Sequence, residues 1–212
     1  MLIADCGSSW SKIKDMESGE VAILPTRQVL RDLDLRFEVA TGHLGRDRTQ
    51  RYENELIALA QGSLKLVPDD DFTVLDIGSR DMKWVGFHGR KLRKLDWNQA
   101  CGANTGFTLE LLGHYYDIDF TKLPSSEERL AVTCGIFGIE RIFEAIIKGE
   151  SAETALAAFV HGIAFNVHNF VQRPEKLYLS GGLCENPCFL ESLSRYCEVI
   201  TLGRNVLLEG LA

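Results

Sequence analysis

Asp5-Cys6-Gly7-Ser8-Ser9 and Asp76-Ile77-Gly78-Ser79-Arg80-Asp81-Met82-Lys83 decide the reading of this chain, because they are two versions of one phrase. Each follows a short apolar run, Leu2-Ile3-Ala4 in the first case and Phe72-Thr73-Val74-Leu75 in the second. An apolar run of that length, closed by glycine, reads as a buried strand entering a turn. Two more strand candidates follow each phrase: Ser11 to Met16 and Val21 to Leu24, then Lys83 to Phe87 and Leu92 to Leu95. A three-strand meander leading into a mixed α/β segment therefore occurs twice. That duplication predicts an α/β protein of two related lobes, 1–70 and 71–212.

Outward from the two phrases, Phe37 to Ala40 reads as a strand. Tyr52 to Gln61 has helical spacing, with Leu56, Leu59 and Ala60 on one face. Helices are expected from near Thr105 and over 135–148. A long one over 151–172 is apolar around much of its circumference, so it should be buried. Lys176 to Leu179 is a strand, Pro187 opens a helix where proline is tolerated, and Val199 to Leu202 is a last strand.

The chain has 212 residues, 45% hydrophobic and 25% charged, enough for one large domain or two small ones sharing a core. Acidic residues outnumber basic ones, 30 to 23, for a net charge of −7. Such a surface repels phosphate backbones and anionic lipid heads, which argues against nucleic acid and membrane partners. No apolar run reaches spanning length. Met1 to Asp5 lacks the basic stretch of a signal peptide, so a cytoplasmic protein is expected. In that reducing compartment the six cysteines should be buried thiols, metal ligands or redox groups rather than disulfides. No CxxC pair occurs, so a zinc ribbon is not indicated.

Gly7 lets the backbone approach a phosphate closely, with Ser8, Ser9 and Lys12 adding donors. Asp5 stands where a carboxylate holds Mg²⁺ through water. Alone, the phrase fits an ordinary Gly-Ser hairpin turn equally well. Asp76, Gly78 and Ser79 repeat it, and two such turns in equivalent places would clamp a triphosphate and its metal from both sides. In Ser180-Gly181-Gly182-Leu183-Cys184-Glu185-Asn186 a strand ends in paired glycines and a helix starts soon after. Either a flat base or ribose lies against that backbone, or it is a tight strand-to-helix turn.

In this order the three elements resemble the phosphate-1, phosphate-2 and adenosine motifs of the acetate kinase/Hsp70/actin superfamily. Within it, Thr41-Gly42-His43-Leu44-Gly45-Arg46 followed by Glu55 resembles the TGYGR…E segment of the BadF/BadG/BcrA/BcrD ATPases. These include the activator of 2-hydroxyacyl-CoA dehydratases and the ATPase subunits of benzoyl-CoA reductase. The family's DIGGQDxK appears as DIGSRDMK, its NDKCAAGTGRFLE as the stretch from Asn98 to Glu110, and its closing GGVAxN as GGLCEN. Its Cys-Thr-Val-Phe segment appears as Cys134-Gly135-Ile136-Phe137, and its final helix as Glu209-Gly210-Leu211-Ala212. The likeness runs along the whole chain, although the chain is shorter than the family pattern, so several loops are expected to be trimmed. Ser79-Arg80 stands for Gly-Gln, Asn104 for a glycine, and Phe107-Thr108 for Arg-Phe.

The resemblance implies two ribonuclease H-like lobes with a nucleotide cleft between them and a last helix packing back on the first lobe. It implies ATP held by Gly7, Ser8, Ser9, Lys12, Gly78 and Ser79, adenosine at Gly181 and Gly182, and Mg²⁺ positioned by Asp5 and Asp76. Glu55 would orient water. It also makes Cys101 and Cys134 ligands of a [4Fe–4S] cluster shared across a homodimer, each chain giving half of the set. By composition alone both are small buried residues. The implied activity is an ATPase donating electrons to a dehydratase- or reductase-like partner. Two other readings remain: a small-molecule kinase of the same superfamily using Glu55, without an evident sugar motif, and a nucleotide-binding regulatory protein lacking the cluster. Cys184, Cys188 and Cys197 are expected as buried thiols, and His161 and His168 as core or interface histidines.

Overall fold

A computed structural model of the chain describes residues 1–98, 106–132 and 135–212, and the backbone alone at 135–137. The first lobe runs β1 (Leu2–Cys6), β2 (Trp10–Asp15), β3 (Val21–Pro25), α1 (Thr26–Val29), β4 (Phe37–Thr41), β5 (Thr49–Tyr52) and α2 (Glu55–Leu66). The second runs β6 (Phe72–Ile77), β7 (Met82–His88), β8 (Lys91–Asn98), α3 (Gly106–Tyr116), α4 (Gly135–Ile147), α5 (Ala152–Phe170), β9 (Lys176–Gly181), α6 (Pro187–Ser194), β10 (Glu198–Gly203) and α7 (Val206–Leu211).

Each meander becomes half of a mixed five-stranded sheet. The orders are β3-β2-β1-β4-β5 and β10-β9-β6-β7-β8. In both, the first three strands pair antiparallel and the remaining two run parallel beside the first. The duplication read from the sequence is thus a duplication of topology.

One expectation needs correction, and one strand was not foreseen. Thr49 to Tyr52 is a strand, with Tyr52 opposite Ala40, so the helix expected from Tyr52 begins at Glu55. Asn54 sets that start, because its side chain accepts from the Leu56 N–H and caps the helix. Apolar spacing cannot see this, since the cap is polar. Helix α5 is capped likewise by Ser151, which accepts from the Thr154 N–H, and proline occupies the first turn of α6.

Three apolar layers hold the fold. Ala4, Cys6, Ile13, Val29, Phe37 and Ala40 pack on the outer face of the first sheet. Leu75, Ile77 and Leu179 of the second sheet pack against α3 to α6. Between the sheets lie α2 and α7, whose Ala58, Leu59, Val206, Leu207, Leu208 and Leu211 meet Ile3 and Val39 from one sheet and Val74, Val85 and Tyr178 from the other. The two helices cross at glycines: a Cβ on Gly62 would lie 1.9 Å from the Val206 carbonyl oxygen, and one on Gly210 1.9 Å from that of Ala58. Among the described residues no helix is long and apolar enough to cross a membrane.

Candidate functional site

Strand alternation places the acidic residues. Side chains of a strand alternate between faces. In β1, Ile3 faces the shared layer while Ala4 and Cys6 face outward. Asp5 therefore falls on the side of Ile3, at the strand's C-terminal end. In β6, Val74 faces the shared layer and Leu75 and Ile77 the opposite one, so Asp76 also points between the lobes. Both carboxylates are buried.

The equivalence extends across the neighbouring strands. Lys12 lies directly opposite Asp5, and Lys83 directly opposite Asp76. On the other side Thr41 aligns with Asp5 and Ser180 with Asp76. Ser180 Oγ donates to Asp76 Oδ1 at 3.0 Å, whereas Thr41 Oγ1 has no partner among the described residues. A glycine follows in each case, Gly42 at φ +84° and Gly181 at φ +90°. A Cβ there would stand 2.4 Å from the Cys6 backbone or 2.3 Å from the Ile77 backbone. Gly181 is thus required by its neighbouring strand. Gly182, beside it, faces open space.

One cleft between the lobes brings together Asp5, Gly7, Ser8, Ser9, Lys12, Glu55, Asp76, Gly78, Ser79, Gly181 and Gly182. These are all the residues predicted for nucleotide and magnesium. Trp10, His43, Arg80, Asp81, Lys83 and Arg204 line it too, and sequence reasoning assigned them no role. Lys83 closes the second phrase, which was the available signal. Nothing in the sequence marks Arg204. Its Nε is buried without a hydrogen-bond partner among the described residues, and its Nη1 lies 3.6 Å from Glu185.

The two lysines behave differently. Lys12 Nζ sits 2.7 Å from Asp5 Oδ2. Lys83 Nζ is 3.9 Å from Asp76 Oδ2 but 2.7 Å from Glu55 Oε2 and 3.0 Å from Asp81 Oδ1. Burial pulls both ammonium groups down. Asp5 and Asp76 around Lys12, and Asp76, Glu55 and Asp81 around Lys83, more than offset this and leave both raised, so both are cations at neutral pH. Burial pushes the Glu55 carboxyl above the usual glutamate range, with Lys83 opposing.

The cleft offers turns with close backbone approach, hydroxyls, cationic donors and two carboxylates at strand ends, a donor set that suits phosphate with a hydrated cation. The orphaned Arg204 Nε and the open space at Gly182 fit a polar ligand at the third turn. No group of three or more His, Cys, Asp or Glu among the described residues gathers to hold a metal. A cation positioned by Asp5 and Asp76 would therefore keep most of its ligands as water.

Cys101 and Cys134 lie outside the described residues. Cys6, Cys184, Cys188 and Cys197 are buried, and burial pushes their thiols up to about 12 for Cys6 and about 11 for the other three. His161 is buried between the Glu128 carbonyl and the Tyr196 hydroxyl, at 3.1 and 2.7 Å, and His168 stacks on Tyr196.

No protein-family model matches the chain. It is 25% identical over 166 residues to the (R)-2-hydroxyglutaryl-CoA dehydratase activating ATPase of Acidaminococcus fermentans, covering 72% of this chain and 63% of that protein. It is 24% identical over 175 residues to the 2-hydroxyisocaproyl-CoA dehydratase activator of Clostridioides difficile, covering 76% and 65%. The matches thus span less than two thirds of either curated relative. The solved structure of the activator of the 2-hydroxyisocaproyl-CoA dehydratase from Clostridium difficile, with bound ADPNP, superposes with a TM-score of 0.80 at 20% identity, covering 99% of this chain and 91% of that one. The chain thus has the two-lobed α/β fold of the actin-like ATPases, and the curated proteins it is similar to are 2-hydroxyacyl-CoA dehydratase activating ATPases.

Proposed function

We propose that this chain is an ATP-hydrolysing activator that delivers electrons to a 2-hydroxyacyl-CoA dehydratase-like or benzoyl-CoA reductase-like partner. The observation that carries this reading is the interlobe cleft lined by both Asp-x-Gly turns, the Gly181-Gly182 turn and Glu55. The similarity to two dehydratase activators supports the partner class.

In this reading Gly7, Ser8, Ser9, Lys12, Gly78 and Ser79 hold the phosphates, and Gly181 and Gly182 take the adenosine. Asp5 and Asp76 orient Mg²⁺ through its water ligands. Lobes 1–70 and 71–212 close on the nucleotide. Glu55 accepts a hydrogen bond from the attacking water, whose oxygen bonds to the γ-phosphorus as the bond to the β,γ-bridging oxygen breaks and ADP leaves. Cys101 and Cys134 are proposed as half of the ligand set of a [4Fe–4S] cluster in a homodimer. When bound it would supply a one-electron carrier, reduced by a low-potential iron–sulfur or flavin protein. An apolar surface supports an assembly: Phe107, Leu111 and Tyr115 recur every fourth residue along α3 and are exposed, beside Phe143 and Ile147 of α4.

Anaerobic purification tests the reading. The protein should be brown with about four iron atoms per dimer. Cys101→Ser and Cys134→Ser should each lose the colour, while Cys184→Ser keeps it. A colourless, iron-free protein that still hydrolyses ATP would remove the electron-donor half of the proposal.

A further inference from the structure

We infer that Lys83 is a positioning residue for ATP hydrolysis, clamping the Glu55 carboxylate of the opposite lobe toward the phosphate end of the cleft. The inference rests on the function proposed above and adds the part that aims its water-orienting group.

The internal duplication supplies the control. Lys12 and Lys83 occupy equivalent registers, each opposite the aspartate that ends the first strand of its sheet. Lys12 pairs with that aspartate at 2.7 Å. Lys83 holds its aspartate only loosely, at 3.9 Å, and lies closer to Glu55 at 2.7 Å and Asp81 at 3.0 Å. Only the second lysine has loosened its contact with its own strand partner, and what it has gained is a carboxylate from the other lobe.

An ammonium has three donors. Glu55 and Asp81 take two of them, and Asp76 Oδ2 lies 3.9 Å from the same nitrogen. The clamp is itself anchored, since Asp81 Oδ2 accepts from Trp97 Nε1 at 2.9 Å and Lys83 Nζ lies 5.4 Å from the centre of that indole. Among the described residues the Ser180 hydroxyl, at 3.0 Å, is the close side-chain partner of Asp76 Oδ1, while Oδ2 stands 3.9 Å from Lys83 and is placed for a hydrated cation. Glu55 is the first residue of α2, a rigid capped helix, so one ion pair suffices to set the direction of its carboxylate. A buried carboxyl must also be ionised to take a proton from water, and the adjacent cation favours that state. During the reaction the water proton passes toward Glu55 as oxygen bonds to the γ-phosphorus and ADP departs. Lys83 forms and breaks no covalent bond.

The test is a double-mutant cycle on the full chain with Mg·ATP. Glu55→Gln and Lys83→Met should each lower kcat by roughly 10²-fold, the lower end for a general base. The Kd of a fluorescent ATP analogue should change by less than about threefold in each, because neither group binds the nucleotide tightly. The double variant should be no slower than Glu55→Gln alone by more than about twofold, and Lys83→Arg should recover part of the rate. Multiplicative losses in the double variant, or a Lys83→Met protein with unchanged kcat and weakened binding, would overturn the inference. Should Lys83→Met alone fail to fold, the neutral Glu55→Gln/Lys83→Met pair against Glu55→Gln carries the same comparison: equal rates support the clamp, a further drop overturns it. A wild-type protein without ATPase activity would overturn the proposed function and this inference together, whereas a multiplicative cycle with active wild type overturns only the clamp.

Discussion

Glu55 sits where burial and charge oppose one another, and its titration should show in stability. Burial raises its folded-state carboxyl above the unfolded range of about 4.3. A group raised on folding contributes its full stability below its unfolded pKa and loses it as pH rises through the folded one. Relative to Glu55→Gln, the wild type should therefore be at its best near pH 4 and lose ground as pH rises above the ordinary glutamate range. Urea denaturation of both proteins across that range checks the sign; a difference that grows the other way would show that Lys83 outweighs burial. At the same scale, Mg·ATP should raise the melting temperature by mass action, about 2.7 kcal/mol at a hundredfold excess over Kd. Asp5→Ala and Asp76→Ala should shrink that shift. Lys12→Met should instead destabilise the free protein by about 3–5 kcal/mol, because it strands the buried Asp5 carboxylate without its partner.

Among elements, the α2–α7 crossing is the tightest joint, with backbone meeting backbone at Gly62 and Gly210. No flexible side chain is available there to move aside. Gly210→Val should cost about 1–3 kcal/mol or more through overpacking, read as a lower urea midpoint with unchanged slope. Strand β8 shows the opposite design. It is a charged, exposed edge strand, Lys91 to Asp96, which resists pairing with another sheet. In α6 and its surroundings, Cys184, Cys188 and Cys197 are buried thiols at about 11, so iodoacetamide at pH 8 should leave them unmodified until the protein unfolds. Mass-spectrometric mapping of the alkylated sites decides this, and rapid native labelling of Cys188 would contradict it.

For the whole molecule, the layer of α2 and α7 is common to both sheets, so the lobes do not have separate interiors on that side. Helix α7 comes last in the chain yet packs on α2 and joins the first lobe through Lys14, whose Nζ lies 2.6 Å from Glu209 Oε1. Deleting 206–212 removes Val206, Leu207, Leu208 and Leu211, all buried. At about 1.5–3 kcal/mol each, that loss of roughly 6–12 kcal/mol is comparable with the stability of a whole domain. The truncated chain should therefore lose the cooperative transition of both lobes; a far-UV dichroism melt of unchanged midpoint would show that α7 is dispensable.

The paired phrases were sufficient, read as sequence, to announce a duplicated α/β fold and to point to Asp5, Gly7, Ser8, Ser9, Lys12, Asp76, Gly78 and Ser79 among the residues that line the cleft. The reason is physical: an apolar strand entering Asp-x-Gly has a period of two and a turn whose backbone needs are local, so its form survives in the string of letters. Strand β5 escaped because Thr49 to Tyr52 is half exposed and keeps no clear alternation, and the start of α2 escaped because a polar cap sets it. The roles of Lys83 and Arg204 escaped for a different reason. Lys12 and Lys83 look alike in sequence, and only the approach of α2 from the other lobe brings Glu55 within 2.7 Å of one of them. Arg204 enters the cleft because β10 ends beside the turn at Gly182, a neighbour fixed by the parallel pairing of β9 and β10. Local backbone chemistry belongs to the sequence; which charge meets which is decided by the packing of two sheets on one layer of helices.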